Sequence, residues 1–296
     1  MKHVAHWDDV EPYRRDIGHI AGNWYDLGRA AESFDVGVKR IQIDPGKWST
    51  PAHAEGAEEE IFFVLGGSGV SWQNGDVFEV AENDVLVHFP EEHAHTLRAG
   101  AEGLDVLAYG QRKAQGNTVL PRAGVAWMHP SWVDVGGPSP WEREAAAGEP
   151  EVGEISPRPT RIANLDQGIR WELDTGAVDL NLGDVVGSVE TGLSHMAIPP
   201  GSEGYPPHCH SAEEELFVVL EGSGTATLGE ETEEVRRGSV VSRPAGTRVA
   251  HSFSAGDEGL AYLAYGTREP NDIVYYPRSD EIRFRGVGVT LPAGKR

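Results

Sequence analysis

Residues 208–215 read HCHSAEEE, and residues 53–60 read HAEGAEEE, 155 positions earlier. In an extended strand, side chains two apart share a face, so His208 and His210 point the same way and Cys209 points the other. Glu215 opens the next apolar run, ELFVVL, after a short turn, and can return a carboxylate across the histidine pair. His251 lies on a later run, beyond the turn RPAGTRVA. Three imidazoles and one carboxylate suit a divalent transition metal: neutral imidazole favours Fe, Ni, Cu and Zn, and carboxylate favours Mn and Fe. The expected cofactor is therefore Mn, Fe, Ni, Zn or Cu. Four protein ligands leave one or two coordination positions open, as a catalytic rather than a closed structural centre requires.

The elements that must position these groups are short strands, and they occur twice. Residues 53–69 and 208–224 share 11 identities in 17 positions, and residues 95–112 and 251–268 share 11 in 18, with the offset moved by one. The chain is a tandem duplication. Its apolar runs are short, β-branched or aromatic, and closed by Gly, Pro, Asn or Asp: VKRIQIDPG, EIFFVLGGSG, DVLVHFP and LDVLAYG, then SHMAIPPG, ELFVVLEGSG, SVVSRPAG and LAYLAYG. Such spacing predicts an all-β sandwich or barrel in each half. The expected division is a first domain over 1–126, a Pro/Gly/Glu-rich linker over 127–160, and a second domain over 161–296. Within the linker a short helix is expected at 141–147, and Trp127, Trp132 and Trp141 should pack against a domain surface.

On these residues the chain resembles a bicupin. The first cupin motif, G(x)5-6HxH(x)3-4E(x)6G, is matched by Gly201, His208, His210, Glu215 and Gly222; the second, G(x)5PxG followed by a histidine, by Gly238, Pro244, Gly246 and His251. The loop before His251 is about two residues longer than the common form. The resemblance covers both repeats and implies two double-stranded β-helix (jelly-roll) barrels, each with its site inside. It also implies that Glu215, separated from Gly222 by six residues, is the carboxylate ligand, with Glu213 and Glu214 solvated.

The equivalent positions of the first repeat are His53, Glu55, Glu60 and His95, all possible ligands. Without a metal, Glu55 and Glu60 would face each other in the barrel, and one carboxyl would be pushed towards its protonated form. With a metal, two carboxylates balance more of the ion's charge, so this site should prefer harder ions such as Mn(II) or Fe(II). The competing reading is a decayed repeat with a structural role. His93, two residues before His95, is a substitute ligand or supporting partner. His88 and His195 read as packed or surface residues, and Cys209 as a small buried hydrophobe. Arg243 and Arg40 are the candidates, by position, for holding a substrate carboxylate.

A net charge of -22, with basic residues spread along the chain, repels phosphate backbones and anionic lipid, so nucleic acid and membrane are not expected partners. One cysteine and an N-terminus without an apolar stretch predict a cytoplasmic protein. The resemblance implies a metal-dependent enzyme on a small oxygen-rich or carboxylate molecule, of dioxygenase, decarboxylase/lyase or isomerase type. The alternative is a non-catalytic ligand-binding or structural bicupin. Exposed sheet edges and family habit favour a homodimer.

Overall fold

Strand alternation fixes which side chains enter each barrel. In Glu215–Leu228 the residues Glu215, Phe217 and Val219 share one face, and the latter two pack with Met196, Ile198, Phe253 and Leu260. In Glu60–Gln73 the same face carries Glu60, Phe62 and Val64, the latter two packed with Ile41, Trp48, Leu97 and Val106. A carboxylate at the head of each strand is thus delivered to the interior, at the end of an apolar core.

The computed structural model describes residues 3–113, 116–128, 131–133 and 138–294. The chain forms two compact units, one of residues 11–26 and 38–166, the other of residues 1–10, 27–37 and 167–296. They are called the first and second barrel. In the first, an eight-stranded sheet runs in the order Ile162–Asn164, Asp84–His88, Glu60–Gln73, His95–Gln111, Val36–Ile43, Ile20–Asp26 and Tyr13–Ile17, with Asp76–Ala81 paired to Glu60–Gln73. A four-stranded sheet of Ser131–Trp132, Val125–Met128, Asn117–Leu120 and Ala54–Glu55 completes it. The second barrel repeats this plan. Its large sheet is Val4–His6, Ser239–Arg243, Glu215–Leu228, His251–Thr267, Thr191–Ile198, Val178–Asn181 and Ile169–Glu172, with Glu231–Arg236 on Glu215–Leu228. Its small sheet is Cys209–His210, Ile273–Tyr276, Glu281–Phe284 and Val289–Pro292.

Each large sheet ends on a strand from outside its own repeat. Val4–His6 pairs with Ser239–Arg243 in the second barrel, and Ile162–Asn164 with Asp84–His88 in the first. Ser239–Arg243 and Asp84–His88 are buried at every residue, so the backbone groups on their free edges need a partner. The boundaries read from the sequence change accordingly: residues 1–10 and 27–37 belong to the second barrel, and the linker and residues up to 166 to the first. Residues 129–130 and 134–137 of the linker lie outside the described residues. Its helix, Pro140–Ala146, is closed by a Ser139–Glu142 capping box, and its Trp141 packs edge-on against Trp24 at 5.9 Å.

The motif glycine Gly222 sits where the ladder between Glu215–Leu228 and His251–Thr267 shifts register. Its φ is +70°, and a Cβ there would lie 2.1 Å from the Gly259 carbonyl oxygen, so only glycine fits.

Candidate metal centres

In the second barrel His208, Glu215 and His251 bring one ligand atom each within 4.8 Å of the others. His210 joins them, with Nε2 3.3 Å from Glu215 Oε2, while His251 Nε2 lies 2.9 Å from the same oxygen. Neither contact is aligned as a hydrogen bond. His210 Nε2, His251 Nε2 and Glu215 Oε2 are all buried without a hydrogen-bond partner. Three unpaired buried ligand atoms converging on one point fit a divalent ion, since each would otherwise carry an uncompensated desolvation cost.

The other ring nitrogens are already committed. His208 Nδ1 donates to the Pro206 carbonyl at 2.8 Å, which leaves Nε2 facing the cluster. His210 Nδ1 donates to Asp272 Oδ2 at 2.7 Å, and Asp272 Oδ1 accepts from the Ala212 N–H at 2.9 Å. A buried carboxylate behind a ligand histidine fixes its orientation and raises its basicity. Burial disfavours the His210 cation, but the charge of Glu215 and the Asp272 hydrogen bond outweigh it and raise the pKa to about 9. His208 goes the other way, to about 4, through burial and the neighbouring His251. Burial opposes ionisation of Glu215, yet His210 and His251 hold its pKa well below the usual carboxylate range.

The first barrel gathers His53, Glu60 and His95 in the same way. His53 Nδ1 donates to the Pro51 carbonyl at 2.9 Å, as His208 does to Pro206. Here the oxygen and nitrogen are paired: His95 Nε2 donates to Glu60 Oε2 at 3.1 Å. Glu55 Oε1 stands 3.8 Å from His53 Nε2, and its other oxygen accepts from the Thr118 hydroxyl at 2.7 Å. Burial, then the charge of Glu60, raises the Glu55 pKa to about 7, the like-charge effect anticipated from the two carboxylates. Burial opposes protonation of His53, but Glu60 and Glu55 outweigh it and lift its pKa to about 9.

Residues 194–265 match the family model described as Cupin domain. Solved structures with the same tandem architecture match across nearly the whole chain. The formate complex of Lactobacillus farciminis oxalate decarboxylase has a TM-score of 0.64 at 16% identity, covering 90% of this chain and 86% of that one. Bacillus subtilis oxalate decarboxylase at pH 4.6 has a TM-score of 0.61 at 14% identity, covering 89% and 75%. A further structure of that Bacillus subtilis enzyme, from work on its Mn(II) centres, has a TM-score of 0.62 at 15% identity, covering 89% and 76%. The chain shares the tandem-barrel fold of these structures, and its residues 194–265 match the cupin family model. No curated protein sequence matches it.

Several residues stand elsewhere than the sequence suggests. Arg40 pairs with Asp105 at 2.6 Å, and Arg243 donates to Thr247 Oγ1 and the Val249 carbonyl; neither lines a cavity at a centre. His93 is exposed and is not among the residues gathered at the first centre, while His88 is buried and stacked 3.7 Å from the His95 ring. Glu213 and Glu214 are buried, not solvated. Glu213 pairs with Arg285, and Glu214 accepts from the backbone N–H groups of Phe34, Asp35 and Val36. Alternation explains the second arrangement: Glu214 lies on the opposite face of the chain from Glu215. Cys209 is buried, with its thiol pKa raised by that burial.

Sequence reasoning missed the cavity of the second barrel's site. It measures about 320 Å³ and includes Asp179, Tyr205, Tyr276 and Arg283 in its wall. These come from three separate segments, and no spacing rule ties them to the histidines. The one available signal is the alternating run after Asp272, which reads as a hairpin and pairs with the His210 strand.

Proposed function

We propose that the second barrel is a divalent-metal-dependent enzyme site acting on a small carboxylate or similarly oxygen-rich molecule. The observation that carries this reading is the convergence of His210 Nε2, His251 Nε2 and Glu215 Oε2, buried and unpaired, on a cavity wide enough for such a substrate. His208, His210, Glu215 and His251 would hold the ion. When bound, it supplies Lewis-acid polarisation of a carboxylate or carbonyl oxygen.

The chain's own residues supply binding and proton handling. Of the arginines lining the cavity, Arg268 pairs with Asp184 and Arg285 with Glu213, whereas Arg283 has no carboxylate partner among the described residues. Arg283 is the group that binds a substrate carboxylate. Tyr205 donates to Asp179 Oδ2 at 2.8 Å, and Asp179 Oδ1 is buried without a partner. Burial raises the Asp179 pKa, so this pair is suited to hold and pass a proton at the wall. The structural neighbours are oxalate decarboxylases, which makes decarboxylase or related lyase chemistry, with Mn(II), the first to test.

The decisive measurement is elemental analysis of wild type beside His208→Ala and His251→Ala. Each variant should lose one equivalent of bound ion; equal metal in all three overturns the assignment. Manganese-loaded protein is then supplied with oxalate and a panel of other small carboxylates, and product release is followed. Turnover that disappears in Arg283→Ala is the expected result, and no turnover on any member removes the enzymatic half of the proposal.

A further inference from the structure

In each barrel the small sheet carries a row of directly paired residues that starts at a candidate ligand. In the second barrel the row is His210, Val274, Arg283 and Thr290. In the first it is Glu55, Thr118, Trp127 and Trp132. Residues directly opposite in neighbouring strands project from the same face of a sheet. The two rows are therefore the same wall in the duplicated fold, and where one presents an arginine the other presents two indoles.

The first row fronts a cavity of about 420 Å³ whose lining includes His53, Thr118, Trp127, Trp132, Trp141 and Lys39. The aromatic walls are held in place before any ligand arrives. Trp127 and Trp132 meet edge-to-face with centroids 5.4 Å apart. Trp141 is clamped between Trp24 and the Arg15 guanidinium, which lies 3.7 Å from its ring centre. Indole walls of this kind take a flat ring by stacking and edge contacts. The exposed Lys39 at the rim supplies one positive charge, and it disfavours a cationic guest.

From this juxtaposition we infer that the first barrel binds an aromatic carboxylate, its ring between the tryptophans and its anionic group towards Lys39. The two barrels then differ in ligand class, aliphatic acid at the arginine wall and aromatic acid at the indole wall. This inference does not require the catalytic reading of the second barrel.

The test is a titration of the full chain with 1-naphthoate, followed by calorimetry and tryptophan emission, with acetate and oxalate as aliphatic controls. Wild type should bind 1-naphthoate saturably with quenching, and the aliphatic acids should not quench. Trp132→Ala should weaken binding by about tenfold, and Lys39→Ala, at an exposed position that carries no folding risk, by about threefold. Arg283→Ala should leave it unchanged. Binding that survives both Trp132→Ala and Lys39→Ala at wild-type strength, or that is lost in Arg283→Ala, overturns the inference. Loss in Arg283→Ala would place the ligand in the second barrel, a result separate from whether that barrel holds a metal.

Discussion

The carboxylate of Asp272 sits 2.7 Å behind the Nδ1 of His210, fully buried, 62 residues further along the chain. It accepts from the Ser211 hydroxyl and from the Ala212 and Glu213 N–H groups as well, so its own position is fixed from several sides. The ring it orients has only Nε2 left to offer. Asp272→Asn keeps the shape and most of these acceptor contacts but removes the charge. Metal affinity at the second centre should fall by about 10- to 100-fold, with the first centre unaffected. Competition titration against a chelator indicator reads both sites, and unchanged affinity would show that His210 is not a ligand.

Two adjacent glutamates separate structural from ligand roles. Glu214 accepts three backbone N–H groups from residues 34–36, whereas Glu215 faces the histidines. Glu214→Ala leaves those donors unpaired in a buried place and should cost on the order of 3 kcal/mol of stability. Such protein, where folded, should still carry its full complement of metal. Glu215→Ala should do the reverse, relieving two crowded imidazoles of their partner but abolishing the second site's ion. Chemical denaturation and elemental analysis of the two variants together give the readout.

How much of this was legible beforehand follows from what each residue answers to. Glu215 is preferred to Glu214 on the resemblance alone, by the motif's spacing to the glycine at 222; strand alternation, which puts the two on opposite faces, enters only with the structure. The Glu55–Glu60 conflict was equally readable, since it needed only the duplication and the sign of two charges. Asp272, Arg283 and the Asp179–Tyr205 pair were not, because strand pairing between distant segments brings them to the site. The strand Val4–His6 was missed for a related reason: three residues have too little pattern to declare themselves, and their place is set by the buried strand that needs an edge partner.

Metal-free protein should lose stability as the solution becomes alkaline. His53 and His210 both have pKa values of about 9, above the ordinary 6.5. A raised histidine stabilises the fold fully below pH 6.5 and loses that contribution as pH rises through 9. Glu55, raised from 4.5 to about 7, adds a loss of the same sign between those values. His208, lowered to about 4, opposes them, but its gain is complete by pH 6.5. The depressed Glu60 and Glu215 act only in acid, below the ordinary carboxylate pKa. Chelated protein should therefore melt at a falling temperature from pH 6.5 to 9. A bound ion needs the ligand nitrogens deprotonated, so the gap between loaded and chelated protein should widen over the same range. Thermal unfolding with and without chelator checks it, and a chelated melting point that rises with pH contradicts the assignment of these protons.

The exchange of a histidine for Glu55 makes the last comparison. Glu55 brings a second carboxylate to the first centre, where His53, Glu60 and His95 already meet. Carboxylate oxygen favours harder ions and imidazole softer ones. The first barrel should thus select Mn(II) over Ni(II) more strongly than the second. Glu55→His should narrow that difference by about tenfold, which corresponds to about 1.4 kcal/mol of relative affinity. The substitution also removes the carboxylate that accepts from Thr118, so Glu55→Gln serves as the control: it keeps an acceptor for that hydroxyl while losing the charge, and should weaken both ions together. Parallel Mn(II) and Ni(II) titrations of the three proteins, made in a His251→Ala background to silence the second site, read the ratio directly. If the ratio is the same in all three, Glu55 is not a ligand, and the first centre is the three-residue cluster of His53, Glu60 and His95 alone.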